Sequence, residues 1–266
     1  MSEIIELFTY PFVQRALIAG SLISICAAML GVILVLKHYS LIGHGLSEIG
    51  FASLSLAAAL NIPAVIISAP AVILASFVIM FVSQRYKTSG DIAIALASSA
   101  ALAFGVIISS VTGKSSNMSG YLFGSVLAIT QDELIFAVII SIIIILAFVI
   151  FYNRLFLITY NEDYARSLGI NIVLYQFIIS LMTALIIVTG MRIMGTLLIS
   201  GIIILPAVSA KSFARGFKSL VIISALISFI AFISGLILSF VFNLPAGASV
   251  ILSSTIILIL VKIFIS

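Results

Sequence analysis

Long apolar runs alternate with short polar breaks along the whole chain, and the breaks define its elements. The breaks read "KHYS", "NIP", "QRYKTSGD", "TGKSSN", "TQDE", "YNR" through "NEDYARSLG", "GMR", "KSFARGFK" and "FNLPAG". Between them lie apolar runs at about 16–36, 45–60, 63–83, 91–111, 133–152, 172–190, 195–210, 219–241 and 246–264. A helix crosses the hydrocarbon layer of a bilayer in about 20 apolar residues, or slightly fewer when other helices flank it. The pattern therefore predicts an all-α, polytopic membrane protein with about eight or nine transmembrane helices. Residues 119–129, "SGYLFGSVLAI", are too short to cross. They read as a re-entrant or interfacial piece, which is permissible only where protein covers it.

Composition agrees with the pattern. The chain is 64% hydrophobic and 8% charged, with a mean hydropathy of +1.44, whereas soluble domains carry about 25% charged residues. A chain of 266 residues with so few charges cannot cover itself with a wettable surface, so its solvent is lipid. Low-complexity tracts, soluble domains and long linkers are absent, and one membrane domain is expected to fill residues 1–266. Cys26 stands alone in an apolar run, which leaves neither a disulfide framework nor a thiolate metal site. The first residues, "MSEIIEL", carry Glu3 and Glu6 in place of a basic segment, so no cleavable signal peptide is expected.

The net charge of +4 matters less than where the charges fall. Lys37, Arg85, Lys87, Arg154, Arg166, Lys211, Arg215, Lys218 and Lys262 sort to one side of the predicted spans, and Arg15, Lys114 and Arg192 to the other. Nine against three is a positive-inside bias that puts the N-terminus outside and the C-terminus in the cytoplasm. The bias arises only if 119–129 does not cross.

Several polar clusters invite a chemical reading. Gly113-Lys114-Ser115 looks like the end of a phosphate-binding loop, but position 108 is Ile where that loop needs glycine, and no strand precedes it. Gly43, Gly45 and Gly50 fail the spacing of a dinucleotide loop. The chain is thus not expected to bind ATP itself or to be an enzyme. Thr130 and Glu133 in "TQDE" form the pattern of a capping box, with Asp132 favourable to the helix dipole. Ser89 and Asp91 are placed to do similar work at the fourth run.

The segment 153–171 is long for a connection. Asn161 suits an N-cap, Glu162 and Asp163 a first turn, Arg166 an i+4 partner for Glu162, and Gly169 the residue after a C-cap. The expectation is a short, capped, polar helix on the inner face, and the sequence leaves connector and docking element both open. Gly195, Gly201 and Pro206 in "MGTLLISGIIILPAVSA" fit either a kink lining a cavity or ordinary helix packing.

"SLIGHGLSEIGFASLSLAAA" at 40–59 places His44 and Glu48 four residues apart, on one face of a predicted helix. Ionisable groups at membrane depth are costly. An imidazole bonded to a carboxylate would lower that cost. The same pair could also serve a passing divalent cation, since imidazole and carboxylate suit zinc, manganese or iron. Spacing leaves both roles open, and Gly43, Ser47 and Gly50 would let another backbone approach closely.

Five segments together resemble one family, the permease subunits of bacterial ABC importers for zinc and manganese, whose fold resembles that of type II importers. They are "LVLKHYSLIGHGLSEIGFA", "YLFGSVLAITQDEL", "NEDYARSLGI", "MGTLLISGIIILPAVSA" and "NLPAGASVIL", in the family's order and across nearly all of the chain. The resemblance implies a homodimer of permeases in the plasma membrane. Cytoplasmic ABC ATPase subunits would bind the ATP, an extracytoplasmic metal-binding protein would deliver Zn2+ or Mn2+, and no permanent cofactor or nucleic-acid partner is involved. It implies that Glu162, Asp163, Arg166 and Gly169 belong to a coupling helix, and that His44 and Glu48 line the metal path. Asp91, Thr130, Glu133 and Pro206 would then cap or gate the spans. The family motif typically carries aspartate at the place of His44 and histidine at the place of Glu48, so the two ligand types have changed places here. The rival expectations are a stand-alone secondary cation transporter or channel, and an ABC permease for a metal chelate.

Overall fold

A computed structural model describes residues 10–39, 41–86, 90–113 and 129–265. Among these, regular structure is helical throughout. The helices are α1 (Pro11–Leu36), α2 (Ile42–Leu60), α3 (Ala64–Tyr86), α4 (Gly90–Val111), α5 (Gln131–Tyr160), α6 (Glu162–Ser167), α7 (Ile172–Met194), α8 (Thr196–Ala210), α9 (Phe217–Phe242) and α10 (Ala246–Ile265). Six of the described helices are long and apolar enough to cross a membrane, and Ile66–Ile79 and Thr196–Ala210 are shorter apolar stretches. The re-entrant reading of 119–129 falls almost entirely outside the described residues, as do Lys87 and Lys114 and the side chains of Arg85 and Asp91.

Local chemistry sets where the helices begin and end. Pro11 opens α1 at a position where its missing N–H costs nothing. At the other end of α1, His38 takes a left-handed φ of 60°. The Tyr39 N–H then reaches back to the Leu34 carbonyl at 2.8 Å, which satisfies the helix end. Asn61 and Asn243 end α2 and α9 in the same left-handed region, which asparagine tolerates better than most side chains.

One boundary differs from the sequence expectation. The apolar run was expected to stop near 152, yet α5 continues as helix to Tyr160. Its extra turns gain partners. Tyr152 and Phe156 pack on Phe217, Phe151 meets Tyr175 edge to face, and the Arg154 guanidinium donates to the Tyr175 hydroxyl. Polar residues that look like the end of a span are the outer part of the same rod.

α1 is the central column, packed by α5, α7, α8 and α9. Lipid tails give apolar helices no hydrophobic reason to associate, so small residues and hydrogen bonds must help. Ser228 donates to the Ser24 carbonyl at 2.8 Å and Ser224 to that of Ala28 at 3.3 Å, joining α9 to α1. Ser180 and Ser76 join α7 to α3 through a 2.6 Å hydroxyl contact. α5 turns Ile135, Ile139, Ile142, Leu146, Val149 and Ile150 outward, an apolar stripe that only lipid or another protein would cover. α2 sits among α3, α4 and α8, and α4 leans chiefly on α2. At Gly105 a Cβ would lie 2.9 Å from the Ala52 Cα, so the absence of a side chain there sets how closely α4 approaches α2.

Candidate functional site

The first turns of α2 carry the His44–Glu48 pair. The His44 Nε2 lies 3.2 Å from the Glu48 Oε1, with the imidazole 50% exposed and the carboxylate 15%. One helical turn separates them, so both project from the same face. The pair opens into a groove of about 650 Å³ between α2 and α4. Leu41 and Ile107 are among its lining residues. On the α4 side, Ser98 and Ser99 donate their hydroxyls to the Ala95 carbonyl at 3.1 and 2.8 Å. Their protons are thereby committed, and their oxygen lone pairs remain for a donor or a cation. Beside the pair, Ser47 donates to the His44 carbonyl at 2.8 Å. A nitrogen, a carboxylate and two hydroxyl oxygens thus share an otherwise apolar groove.

α6 is a second candidate. The Asn161 Oδ1 accepts from the Tyr164 N–H at 3.0 Å and caps the helix. At the far end Gly169 adopts φ 75°, and the N–H groups of Gly169 and Ile170 close onto the carbonyls of Arg166 and Ala165 at 3.0 and 3.1 Å. A left-handed residue is what that closing turn requires, and glycine meets it without strain. Ala165 is buried, while Asp163, Tyr164, Arg166 and Leu168 face outward.

The i+4 spacing of Glu162 and Arg166 points to a pair between them, but Glu162 turns inward instead. Its Oε1 lies 2.6 Å from the Lys37 Nζ and accepts from the Gln176 Nε2 at 3.4 Å. Lys37 is only 5% exposed. The pull of that buried ammonium outweighs an exposed neighbour whose pairing would gain little. Lys37 counted in the sequence only toward orientation. Its role had one readable signal: a lysine ending a long apolar helix needs a counter-charge.

At the opposite end of the bundle, the capping box is formed: the Glu133 N–H donates to the Thr130 Oγ1 at 3.3 Å, and the Thr130 N–H to the Glu133 Oε2 at 3.2 Å. The other carboxylate oxygen of Glu133 takes Arg192 at 2.9 Å, joining α5 to α7. These residues border a pocket of about 450 Å³ with Asp132 and Thr189. Arg15 donates to the Ile129 carbonyl at 3.2 Å, fastening α1 to the segment before α5. Pro206 is buried inside α8 and lines neither cavity.

The described residues hold no group of three or more His, Cys, Asp or Glu side chains placed to share a metal ion.

A family model described as the ABC 3 transport family matches residues 9–265. The manganese import system permease protein ScaB of Streptococcus gordonii is 30% identical over 98% of this chain and 93% of its own length. The high-affinity zinc uptake system membrane protein ZnuB of Haemophilus influenzae is 29% identical over 92% of this chain and 94% of its own. Among solved structures, PsaBC from Streptococcus pneumoniae in complex with Fab superposes with a TM-score of 0.87 at 27% identity, covering 98% of this chain and 94% of that one.

Proposed function

The chain belongs to the ABC 3 transport family, and on that premise we propose that it is the membrane-spanning permease of an importer for a divalent transition metal, manganese or zinc. The energy comes from a separate ATPase, and an extracytoplasmic binding protein presents the ion. The observation that carries the cargo reading is the open pair on α2. An imidazole half exposed on a helix inside an apolar body is unfavourable unless something polar meets it. Nitrogen and carboxylate oxygen together suit manganese and zinc.

The site would be completed by a second copy. The groove leaves His44 accessible, and its α4 wall alternates the small residues Ala95, Ser99 and Ala103, which allow a neighbouring helix close approach, with larger apolar ones such as Leu102 and Val106. Two pairs facing each other across a dimer axis would offer two imidazoles and two carboxylates. A path must also release what it binds, and an incomplete half-site on each copy supports that: separating the copies breaks the ligand set. Within each copy the cation would displace the 3.2 Å His44–Glu48 contact, so each ligand gives up its present partner on binding and recovers it on release.

α6 would meet the ATPase. Its outward residues Tyr164 and Leu168 form an apolar pair at i, i+4, with Asp163 and Arg166 beside it, while caps at both ends keep so short a helix formed. On this reading α6 and the C-terminus lie in the cytoplasm and the N-terminus outside, an orientation that the basic-residue count supports. Thr130, Glu133 and Arg192 then border the external mouth.

The test is uptake of manganese or zinc by proteoliposomes holding the chain with its ATPase and binding protein. His44→Ala and Glu48→Ala should each reduce uptake at least about tenfold, the usual cost of removing a ligand-shell partner, while the complex still assembles. Undiminished uptake by both variants would take the pair out of the path. Full-rate uptake by the chain alone would instead show a self-sufficient transporter.

A further inference from the structure

We propose that the Lys37–Glu162 ion pair is the joint through which movement of α6 reaches the His44–Glu48 groove. The inference rests on α6 being the segment that an ATPase subunit moves.

Glu162 is the first residue of α6, and Lys37 is the residue that ends α1. Each charge stands at the helix end whose dipole favours it, negative at an N-terminus and positive at a C-terminus. The Glu162 Oε1 lies 2.6 Å from the Lys37 Nζ and also accepts from Gln176 on α7 at 3.4 Å. A single carboxylate oxygen thereby gathers the ends of three helices. Of the other α6 side chains, Asp163, Tyr164, Arg166 and Ser167 face outward and Ala165 is a buried methyl group, so Glu162 supplies the directional contact inward.

What Lys37 leads to makes the contact a transmission element. Lys37 stands seven residues before His44. Described residues on both sides of position 40 are tied to the helix ends by backbone hydrogen bonds. The Tyr39 N–H is bonded to the Leu34 carbonyl at 2.8 Å, the Ile42 N–H to the Tyr39 carbonyl at 3.1 Å, and the Tyr39 side chain is buried. A displacement of Glu162 therefore passes to the end of α1 and the start of α2 instead of being absorbed by a loose loop. Holding helices together does not need charge, since well-packed apolar groups often serve as well as a buried ion pair. Charge adds resistance to both separation and sliding, which a joint requires and a packing surface does not.

The experiment uses the permease with its ATPase and binding protein in proteoliposomes, reading manganese uptake, ATP hydrolysis and co-purification of the permease with the ATPase. Glu162→Gln and Lys37→Gln should keep the ATPase bound and hydrolysing, while manganese moved per ATP falls about tenfold, the scale on which one contact in a coupled network alters linkage. The exchanged pair, Lys37→Glu with Glu162→Lys, should recover part of that ratio, because attraction returns though both helix dipoles now oppose it. A merely structural role would change the amount of complex and leave the ratio alone. An unchanged ratio in both single variants overturns the joint, as does an exchanged pair no better than either single change. Loss of ATPase co-purification from Glu162→Gln also overturns it, and would make Glu162 part of the docking face. Should Lys37→Gln fail to fold, Glu162→Gln decides alone, since its amide oxygen can still accept from Lys37 and Gln176. Failure of the unaltered complex to move manganese or zinc at all would refute the proposed function itself, an outcome distinct from each of these.

Discussion

Two pairs of the same chemistry, each a nitrogen base with a glutamate, begin seven residues apart at Lys37 and His44 and behave as opposites in the fold. Lys37 and Glu162 meet at 2.6 Å with the lysine 5% exposed and a third helix adding a hydrogen bond. His44 and Glu48 meet at 3.2 Å with the imidazole 50% exposed, in a groove whose far wall has hydroxyl oxygens to spare. The first pair joins residues distant in sequence and is closed. The second joins neighbours on one helix and is open. The first pair commits a buried ammonium and one carboxylate oxygen to contacts inside the fold, which suits it to hold or transmit more than to bind. An open pair is held weakly enough to exchange its internal contact for an external one.

The strongest way to break this comparison is to unpair the closed site from each side in turn. Glu162→Ala leaves a 5%-exposed ammonium with no carboxylate, whereas Lys37→Ala leaves a carboxylate 36% exposed that water and Gln176 can serve. Removing one partner of a buried pair costs about 3–5 kcal/mol. Glu162→Ala should cost about 2–3 kcal/mol, below that range because this pair is open to water on one side. Lys37→Ala should cost about 1 kcal/mol, the upper end for a pair whose remaining member stays in water. Thermal unfolding in detergent measures both. Equal losses would mean that the lysine is hydrated and the site is not closed.

The asymmetry between the two pairs also marks what the sequence could reveal. Local chemistry was readable where the described residues test it, Ser89 and the side chain of Asp91 lying outside them. Asn161 and Gly169 close α6 as their residue types require, and the i+4 spacing alone put His44 and Glu48 on one face. What depended on distant partners was not readable. The spacing that suggested Glu162 with Arg166 is a property of an isolated helix, and the fold overrode it by bringing Lys37 in from 125 residues away. The length of α5 was missed for the same reason. Tyr152, Arg154 and Phe156 look like an ending until Phe217 and Tyr175 arrive to pack against them. The hydroxyls of Ser98 and Ser99 sit in a stretch of alanines, and only the pairing of α4 with α2 turns them toward a groove.

A gentler perturbation sharpens the open side. Gly105→Ala would place a Cβ 2.9 Å from the Ala52 Cα and 3.0 Å from the Phe51 ring. Backbone cannot yield as a side chain can, so α4 must move away from α2. Overpacking of this kind costs about 1–3 kcal/mol, and a single methyl group belongs at the lower end. The groove wall carrying Ser98 and Ser99 shifts with α4, so manganese uptake should fall severalfold while ATPase co-purification stays intact. Unaltered uptake would mean that the α4 wall is a bystander and that the open pair acts without it.

The smallest effect concerns the third pair, Glu133 with Arg192, which lies between the other two in exposure at 27% and 32%. Here one carboxylate does two jobs, with Oε2 accepting from the Thr130 N–H and Oε1 from Arg192. Glu133→Gln removes the charge but keeps an acceptor for the box, because glutamine serves at that position as glutamate does. Half-exposed pairs contribute about 0–1 kcal/mol, so this change should be barely measurable. Thr130→Ala instead leaves the Glu133 N–H without its acceptor and should cost about 1 kcal/mol, a typical value for a lost cap. If Glu133→Gln proved the costlier of the two, the charge on Arg192 would be far less hydrated than its exposure implies. The Glu133–Arg192 pair would then group with Lys37–Glu162, and the gradation from closed to open along this bundle would have to be redrawn.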